Sequence, residues 1–71
     1  MGAKNDILSI VGNNIRENRI KQKMSQNQLA YEAGVTREFV NKVESGKYNI
    51  SVKNLEKLAQ ILEVDVKEFF T

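Results

Sequence analysis

Apolar residues recur along this chain at spacings of three and four, and no segment alternates apolar with polar positions over the length of a strand. That period is typical of amphipathic helices, so the pattern predicts an all-α fold, a compact bundle of five helices. The predicted helices run from about Asp6 to Lys21 or Lys23, from the N-cap Ser25 to Ala33, from the N-cap Thr36 to Glu44 or Ser45, from the N-cap Ser51 with an apolar stripe reaching Leu62, and from Asp65 to Phe69 and Phe70.

Local signals support these limits. Ser25 and Gln28 have the spacing of a capping box, in which two side chains bond the free N–H groups of a helix start. Gly34 is expected to end the second helix and Gly46 the third. Gly12, inside the first helix, is expected to weaken that helix by about 1 kcal/mol relative to alanine.

Composition narrows the class of protein. Seventy-one residues suffice for one small core, so a single domain is expected across residues 1–71, with residues 1–5 as a flexible arm. The chain has no cysteine and no histidine, which removes the usual zinc ligands, thiol nucleophiles and imidazole bases. We therefore expect no metal, no cofactor and no enzymatic activity. No apolar segment is long enough for a membrane span or a secretory signal, so a cytoplasmic location is expected.

Charge is distributed unevenly, although the formal net charge is only +2. Residues 16–53 hold eight lysines and arginines against four glutamates, whereas residues 54–71 hold two lysines against four acidic residues. A basic middle and an acidic end favour one face for a polyanion and another for a different contact. A solvated surface of mixed charge is the alternative.

The second and third predicted helices are joined by a very short corner, Ala33-Gly34-Val35. A connection of about three residues forces the two helix axes to cross steeply, and Gly34 can adopt the left-handed conformation that such a corner needs. Ala30, four residues before the glycine, is small enough to let the two helices approach closely.

An ordered series of motifs resembles the helix-turn-helix of the Cro and lambda-repressor-like (Xre) regulators. The segment Ser25–Ala30, of sequence Ser-Gln-Asn-Gln-Leu-Ala, is similar to the opening of that motif, and Gly34–Arg37 is similar to its turn. Val43–Lys47 resembles the end of the family's recognition helix. Asn49–Ser51 resembles the entry to helix four, with Ile50 where proline is usual. The likeness covers about residues 12–70.

The resemblance implies both a fold and a function. The fold would be of the lambda-repressor-like type, in which helices two and three form the helix-turn-helix. The function would be sequence-specific binding of a double-stranded DNA operator by a transcriptional repressor or controller, with helix 36–45 in the major groove. Phe39, together with Asn49–Ser51 before Leu55-Glu56, further resembles the restriction-modification controller proteins within that family.

One face of the third predicted helix is polar. At about 100° per residue, Arg37, Glu38, Asn41 and Lys42 fall within an arc of about 140°. An ordinary amphipathic helix with a solvated face is the alternative. By resemblance, these four residues would contact bases. Arg37 would bind guanine N7 and O6, Lys42 a guanine or a phosphate, and Glu38 would accept from cytosine N4 or orient Arg37.

The resemblance also implies contacts to the DNA backbone. Gln26, at the start of the second helix, corresponds to the family's phosphate clamp, and Thr36 would assist it. Further phosphate contacts are expected from four residues near the fourth helix, each with an idle surface position as the alternative. These four are Lys47, Tyr48, Asn49 and Lys53.

Two charged residues fall on apolar faces. Arg19 continues the stripe of Val11 and Ile15, and Glu44 lies beside Val40 on the third helix. Because burial of a lone charge is costly, an Arg19–Glu44 ion pair is predicted, and the family resemblance carries the same pair. The alternative is that Arg19 extends to solvent.

A homodimer on a pseudo-palindromic operator is expected, because one recognition helix reads too few base pairs to select a single site in a genome. The loop before helix four, or the last helix, would supply an interface related by two-fold symmetry. The alternative is that both terminal rings complete the monomer core. Interface residues are expected among Ile50, Val66, Phe69 and Phe70.

Two other classes of protein stay open. An antitoxin or anti-repressor could use the same fold to bind a protein, with the acidic end as its contact surface. A nuclease would need paired carboxylates for a metal ion, whereas Glu32, Glu38 and Glu44 are separated by six residues and diverge on a helix.

Overall fold

The computed structural model describes residues 6–71, which form four α-helices and a terminal 3₁₀ helix. The predicted all-α class is confirmed, but the fifth element is a 3₁₀ helix rather than an α-helix, because a segment of five residues is short enough for the tighter winding. The arm expected at residues 1–5 lies outside the described residues. The elements are α1 (Ile7–Lys21), α2 (Gln26–Ala33), α3 (Arg37–Glu44), α4 (Val52–Leu62) and the 3₁₀ helix (Val66–Phe70).

Each helix begins after a residue whose side chain accepts a hydrogen bond from the first turn. Ser25 Oγ accepts from the Gln28 N–H at 3.0 Å, and Thr36 Oγ1 accepts from the Phe39 N–H at 3.0 Å. The other caps are Asp6, Ser51 and Asp65. These caps satisfy N–H groups that have no partner inside the helix, so local sequence sets where the helices start.

Residues in the left-handed conformation end α2 and α4. Gly34 follows α2 with φ 70°, the conformation predicted for the corner. Glu63 follows α4 with φ 62° although it is not glycine, which costs about 1–2 kcal/mol. Gln22, just after α1, donates its Nε2 to the Leu62 carbonyl at 3.0 Å and so supports the end of α4 from outside that helix.

The core lies where α1, the α2–α3 pair, α4 and the 3₁₀ helix meet. Phe69 is fully buried there, and Asn14 Nδ2 on α1 donates to the Phe69 carbonyl at 3.0 Å. Ile50 is buried as well, at 7% exposure. Ile50 and Phe69 are therefore core residues rather than the interface residues expected from sequence, because this small core needs both side chains. Phe70 remains 48% exposed.

α1 passes α3 at very close range beside Gly12. A Cβ atom at Gly12 would lie 2.3 Å from the Val43 carbonyl oxygen and 2.8 Å from the Glu44 carbonyl oxygen. Gly46, just after α3, also lies close to Ser9, with 2.8 Å from its would-be Cβ to Ser9 Oγ. The two glycines let α1 lie directly against the end of α3, a role that their helix propensity does not indicate.

Candidate nucleic-acid interface

α3 presents a polar face to solvent and an apolar face to the core. Arg37, Glu38, Asn41 and Lys42, the predicted base-reading residues, are all exposed, whereas Val40 is buried. No hydrogen bond within residues 6–71 engages the side chains of these four residues. A helix about 10–12 Å across matches a major groove about 12 Å wide, so the dimensions of α3 suit that groove.

A shallow cleft of about 380 Å³ is lined by Arg37, Glu38 and Asn41. A guanidinium, a carboxylate and a carboxamide therefore stand side by side, and Lys42 follows Glu38 one helical turn later. These groups have the donors and acceptors that pair with guanine, cytosine and adenine edges in the major groove. The structure thus brings the predicted base-reading set together on one surface.

The predicted ion pair connects α1 to the end of α3. Arg19 Nε donates to Glu44 Oε2 at 2.6 Å, and Arg19 Nη2 donates to Glu44 Oε1 at 3.1 Å. Arg19 Nη1 also donates to the Met24 carbonyl at 2.7 Å. Both charged residues are buried, each at 8% exposure. The pair is therefore confirmed, and the alternative with Arg19 in solvent is wrong.

Gln26, the predicted phosphate clamp, belongs to the same network. Its Nε2 donates to Glu44 Oε1 at 3.0 Å, across 18 positions of sequence. Because a carboxylate only accepts hydrogen bonds, this contact sets which side of the Gln26 carboxamide carries the N–H donors. One N–H of the Gln26 carboxamide donates to Glu44, and the other N–H stays available for a second acceptor. The ion pair thus orients a predicted DNA-contacting side chain, which sequence reasoning missed.

The other predicted phosphate-binding residues flank α3. Thr36 is exposed, and its Oγ1 accepts from the Phe39 N–H, so its hydroxyl proton is what it can offer a phosphate. The Tyr48 ring stands edge-on to Phe39, with 4.9 Å between ring centroids, so Tyr48 also has a packing role. The remaining three are exposed: Lys47, Asn49 and Lys53.

A second cleft, of about 270 Å³, lies between α1, the start of α2 and α3. Its lining includes Arg16 and Ser45, which sequence reasoning did not select, beside Gln26, Asn41 and Glu44. Arg16 precedes Arg19 by three positions, which are neighbouring positions on a helix. That spacing is the signal from which Arg16 could have been found, since it puts a second guanidinium beside the ion pair.

Within residues 6–71, no group of three or more potential ligands is placed to hold a metal ion. Glu44, which lines the second cleft, is instead bound by Arg19 and Gln26. The described residues therefore offer the nuclease alternative no metal centre.

No helix in this part of the chain has the length and apolar character to cross a membrane.

Comparison with known proteins agrees with this geometry. The helix-turn-helix family profile matches residues 15–69. The control protein C.BamHI of Bacillus amyloliquefaciens is 35% identical over 65 residues, which cover 90% of this chain and 80% of C.BamHI. The HTH-type transcriptional regulator SlrR of Bacillus subtilis is 40% identical over 62 residues, which cover 86% of this chain and 41% of SlrR. The crystal structure of the restriction-modification controller protein C.AhdI from Aeromonas hydrophila superimposes with a TM-score of 0.84 at 38% identity, covering 89% of this chain and 91% of that one.

This chain is identified as a helix-turn-helix transcriptional regulator by the family match and by its regulator and controller relatives, and the fold and the exposed polar face of α3 agree with that class. The chain belongs to the helix-turn-helix family, in agreement with the Xre-like motifs of its sequence, and its α2 and α3 form the helix-turn-helix.

Proposed function

We propose that this regulator binds a double-stranded DNA operator in the cytoplasm as a homodimer, in the manner of a restriction-modification controller, with α3 in the major groove. The observation that carries the proposal is the exposed polar face of α3, whose opposite side is buried in the core. The controller type is favoured because C.BamHI and C.AhdI, both controller proteins, are 35% and 38% identical to this chain, and because Phe39 with Asn49–Ser51 resembles that group.

Base readout falls to the exposed face of α3. Arg37 is suited to a two-pronged contact with guanine N7 and O6, since its guanidinium is exposed at the first position of the helix. Glu38 is suited to accept from cytosine N4, and Asn41 to pair with adenine N6 and N7. Lys42, one turn later, extends the readout to a further guanine or to a phosphate.

Backbone contacts fix the orientation of α3 in the groove. Gln26 donates the N–H that its bond to Glu44 leaves free, and Thr36 donates its hydroxyl proton. The flanking strand is held by exposed groups after α3, with the Tyr48 ring supported by Phe39. The residues assigned to that strand are Lys47, Tyr48, Asn49 and Lys53.

Substitutions on α3 and at the clamp are expected to differ in sequence dependence. Arg37→Ala should weaken binding to the preferred operator by about 1–3 kcal/mol and change binding to random DNA little, because a base contact is lost. Gln26→Ala should weaken both, because a phosphate contact carries no sequence information. Fluorescence anisotropy at one salt concentration measures both affinities. Equal losses on both DNAs for Arg37→Ala would contradict its assignment.

The dimer interface is proposed around Phe70 and Val66. Phe70 is half exposed, and Val66 is partly buried against the core. Phe70→Ser should weaken dimerisation by about tenfold or more with little change in melting temperature, because it removes exposed apolar surface. Sedimentation at micromolar concentration measures the dimer. Tyr31→Ser, which removes a more exposed ring from α2, is the matched control; an equal effect of both variants would contradict this interface.

Two measurements on the unaltered protein test the proposal as a whole. Selection from a random oligonucleotide pool should yield a pseudo-palindrome, since a two-fold dimer presents two copies of α3. Affinity for the selected DNA should then fall with salt, by a slope of about −0.9 per phosphate neutralised. Failure to select any sequence, with a flat salt response, would instead favour the antitoxin or anti-repressor class.

A further inference from the structure

A cleft here called the Arg16 cleft is lined only by polar and charged residues: Arg16, Gln26, Asn41, Glu44 and Ser45. It holds no aromatic or aliphatic side chain, whereas sites for small organic ligands are mostly apolar and enclosed. Its side chains carry a guanidinium, two carboxamides, the carboxylate of Glu44, and a hydroxyl that donates its proton to the Lys42 carbonyl. Such a set suits a small, hydrophilic oxyanion rather than a nucleobase or a metabolite.

The charge of the Arg16 cleft is positive. Glu44 lines it, but its carboxylate accepts two hydrogen bonds from Arg19 and one from Gln26, so its charge is compensated from inside the protein. Arg16, by contrast, is exposed and has no ion pair among residues 6–71. Its guanidinium is therefore an uncompensated cation at the mouth of the cleft, with five N–H donors for an anion.

The Arg16 cleft adjoins the base-reading surface. Asn41 lines both this cleft and the one formed with Arg37 and Glu38. An anion seated beside Arg16 would therefore lie directly next to the bases that α3 reads. A DNA strand that borders the major groove carries such anions at regular spacing along its backbone.

We propose that the Arg16 cleft binds one backbone phosphate of the operator strand that borders α3. Arg16 supplies the charge, and Gln26 supplies the N–H that its bond to Glu44 leaves free. This inference rests on the proposed DNA-binding function and adds a binding residue, Arg16, to it. This contact fixes how deeply α3 enters the major groove and which bases it faces, because two of the residues that line the cleft, Asn41 and Glu44, belong to α3.

Salt dependence of the Arg16→Gln variant tests the charge. Loss of one phosphate contact should lower the slope of log K against log salt by about 0.9 in magnitude. Affinity at 0.1 M salt should fall by about tenfold, equally on selected and on random DNA. Lys21→Gln, at the exposed end of α1 and outside both clefts, removes the same charge and should leave the slope unchanged. Arg16→Lys should restore most of the slope, because it keeps the charge.

Neutral methylphosphonate linkages, placed one at a time along the selected operator, test the position. In the unaltered protein, one linkage per half-site should cost about tenfold in affinity and depend on Arg16. That linkage should have no further effect on Arg16→Gln, whereas all other linkages should affect both proteins equally. If every linkage weakens both proteins equally, or if Lys21→Gln changes the slope as much as Arg16→Gln, the inference is overturned.

Two further outcomes separate this inference from the function on which it rests. If the unaltered protein shows a steep salt slope and Arg16→Gln keeps it, DNA binding stands and the Arg16 cleft is not a phosphate site. If inorganic phosphate binds the free protein below millimolar concentration through Arg16 while the DNA slope is unaffected, the cleft takes a free anion and the inference is again overturned. A flat slope for the unaltered protein refutes the proposed function itself.

Discussion

Glu44→Ala is expected to lower the free energy of unfolding by about 3–5 kcal/mol, because it leaves the buried guanidinium of Arg19 without its carboxylate. A chain of this length has a total stability of about 4–11 kcal/mol, so the variant would lose much of it. Thermal unfolding followed by circular dichroism should show a melting temperature lower by at least about 12 °C.

A double substitution separates the ion pair from simple loss of packing. Arg19→Met with Glu44→Leu removes both charges and keeps apolar volume, and such replacements are often neutral or stabilising. Most of the stability should therefore return, whereas operator affinity should stay reduced, because Gln26 has lost the carboxylate that orients it. A loss of less than about 1 kcal/mol for Glu44→Ala alone would show that the pair contributes far less than its burial implies.

Gly12→Ala is the second variant with a large expected effect. Whether it raises or lowers the free energy of unfolding shows which dominates at this position, helix propensity or packing against α3. Helix propensity alone favours alanine by about 1 kcal/mol. In the structure, the new Cβ would lie 2.3 Å from the Val43 carbonyl oxygen, where ordinary contacts begin near 3.4 Å. The end of α3 would have to move by about 1 Å, so we expect a net destabilisation of about 3 kcal/mol.

Urea unfolding measures the stability of Gly12→Ala, and operator binding at low temperature measures the position of α3 in the molecules that remain folded. Both should be reduced, because the displaced residues are the last turn of the recognition helix. Asn13→Ala, at the adjacent exposed position of α1, is the control and should be close to neutral or slightly stabilising. A Gly12→Ala variant as stable as Asn13→Ala would contradict the close approach of α1 and α3.

Sequence reasoning identified the helix starts and the corner correctly, because both depend on interactions within a few residues. Ser25 and Thr36 bond N–H groups three positions ahead, and Gly34 needs only its own backbone freedom. The polar face of α3 was equally predictable, since it follows from helical period. The Arg19–Glu44 pair could be predicted because a charge on an apolar stripe requires a partner, even one 25 positions away.

Packing between distant elements was not predictable in the same way. Phe69 and Phe70 are neighbours in sequence, yet one is fully buried and the other is half exposed. Helical period separates the two rings but does not say which side the core occupies; the position of the 3₁₀ helix against α1 decides it, through contacts such as that of Asn14 with the Phe69 carbonyl. The same limit hid the bond from Gln26 to Glu44.

By itself, the amino-acid sequence determined the helices, their caps, the helix-turn-helix corner and the outward polar face of α3, because short-range hydrogen bonds and periodicity are encoded by nearby residues. Only the tertiary structure decided that Gly12 is a contact point with α3, that Gln26 is oriented by a buried ion pair, and that Arg16 faces a polar cleft. These features depend on distances between elements far apart in sequence, and such distances are set by how the whole core packs.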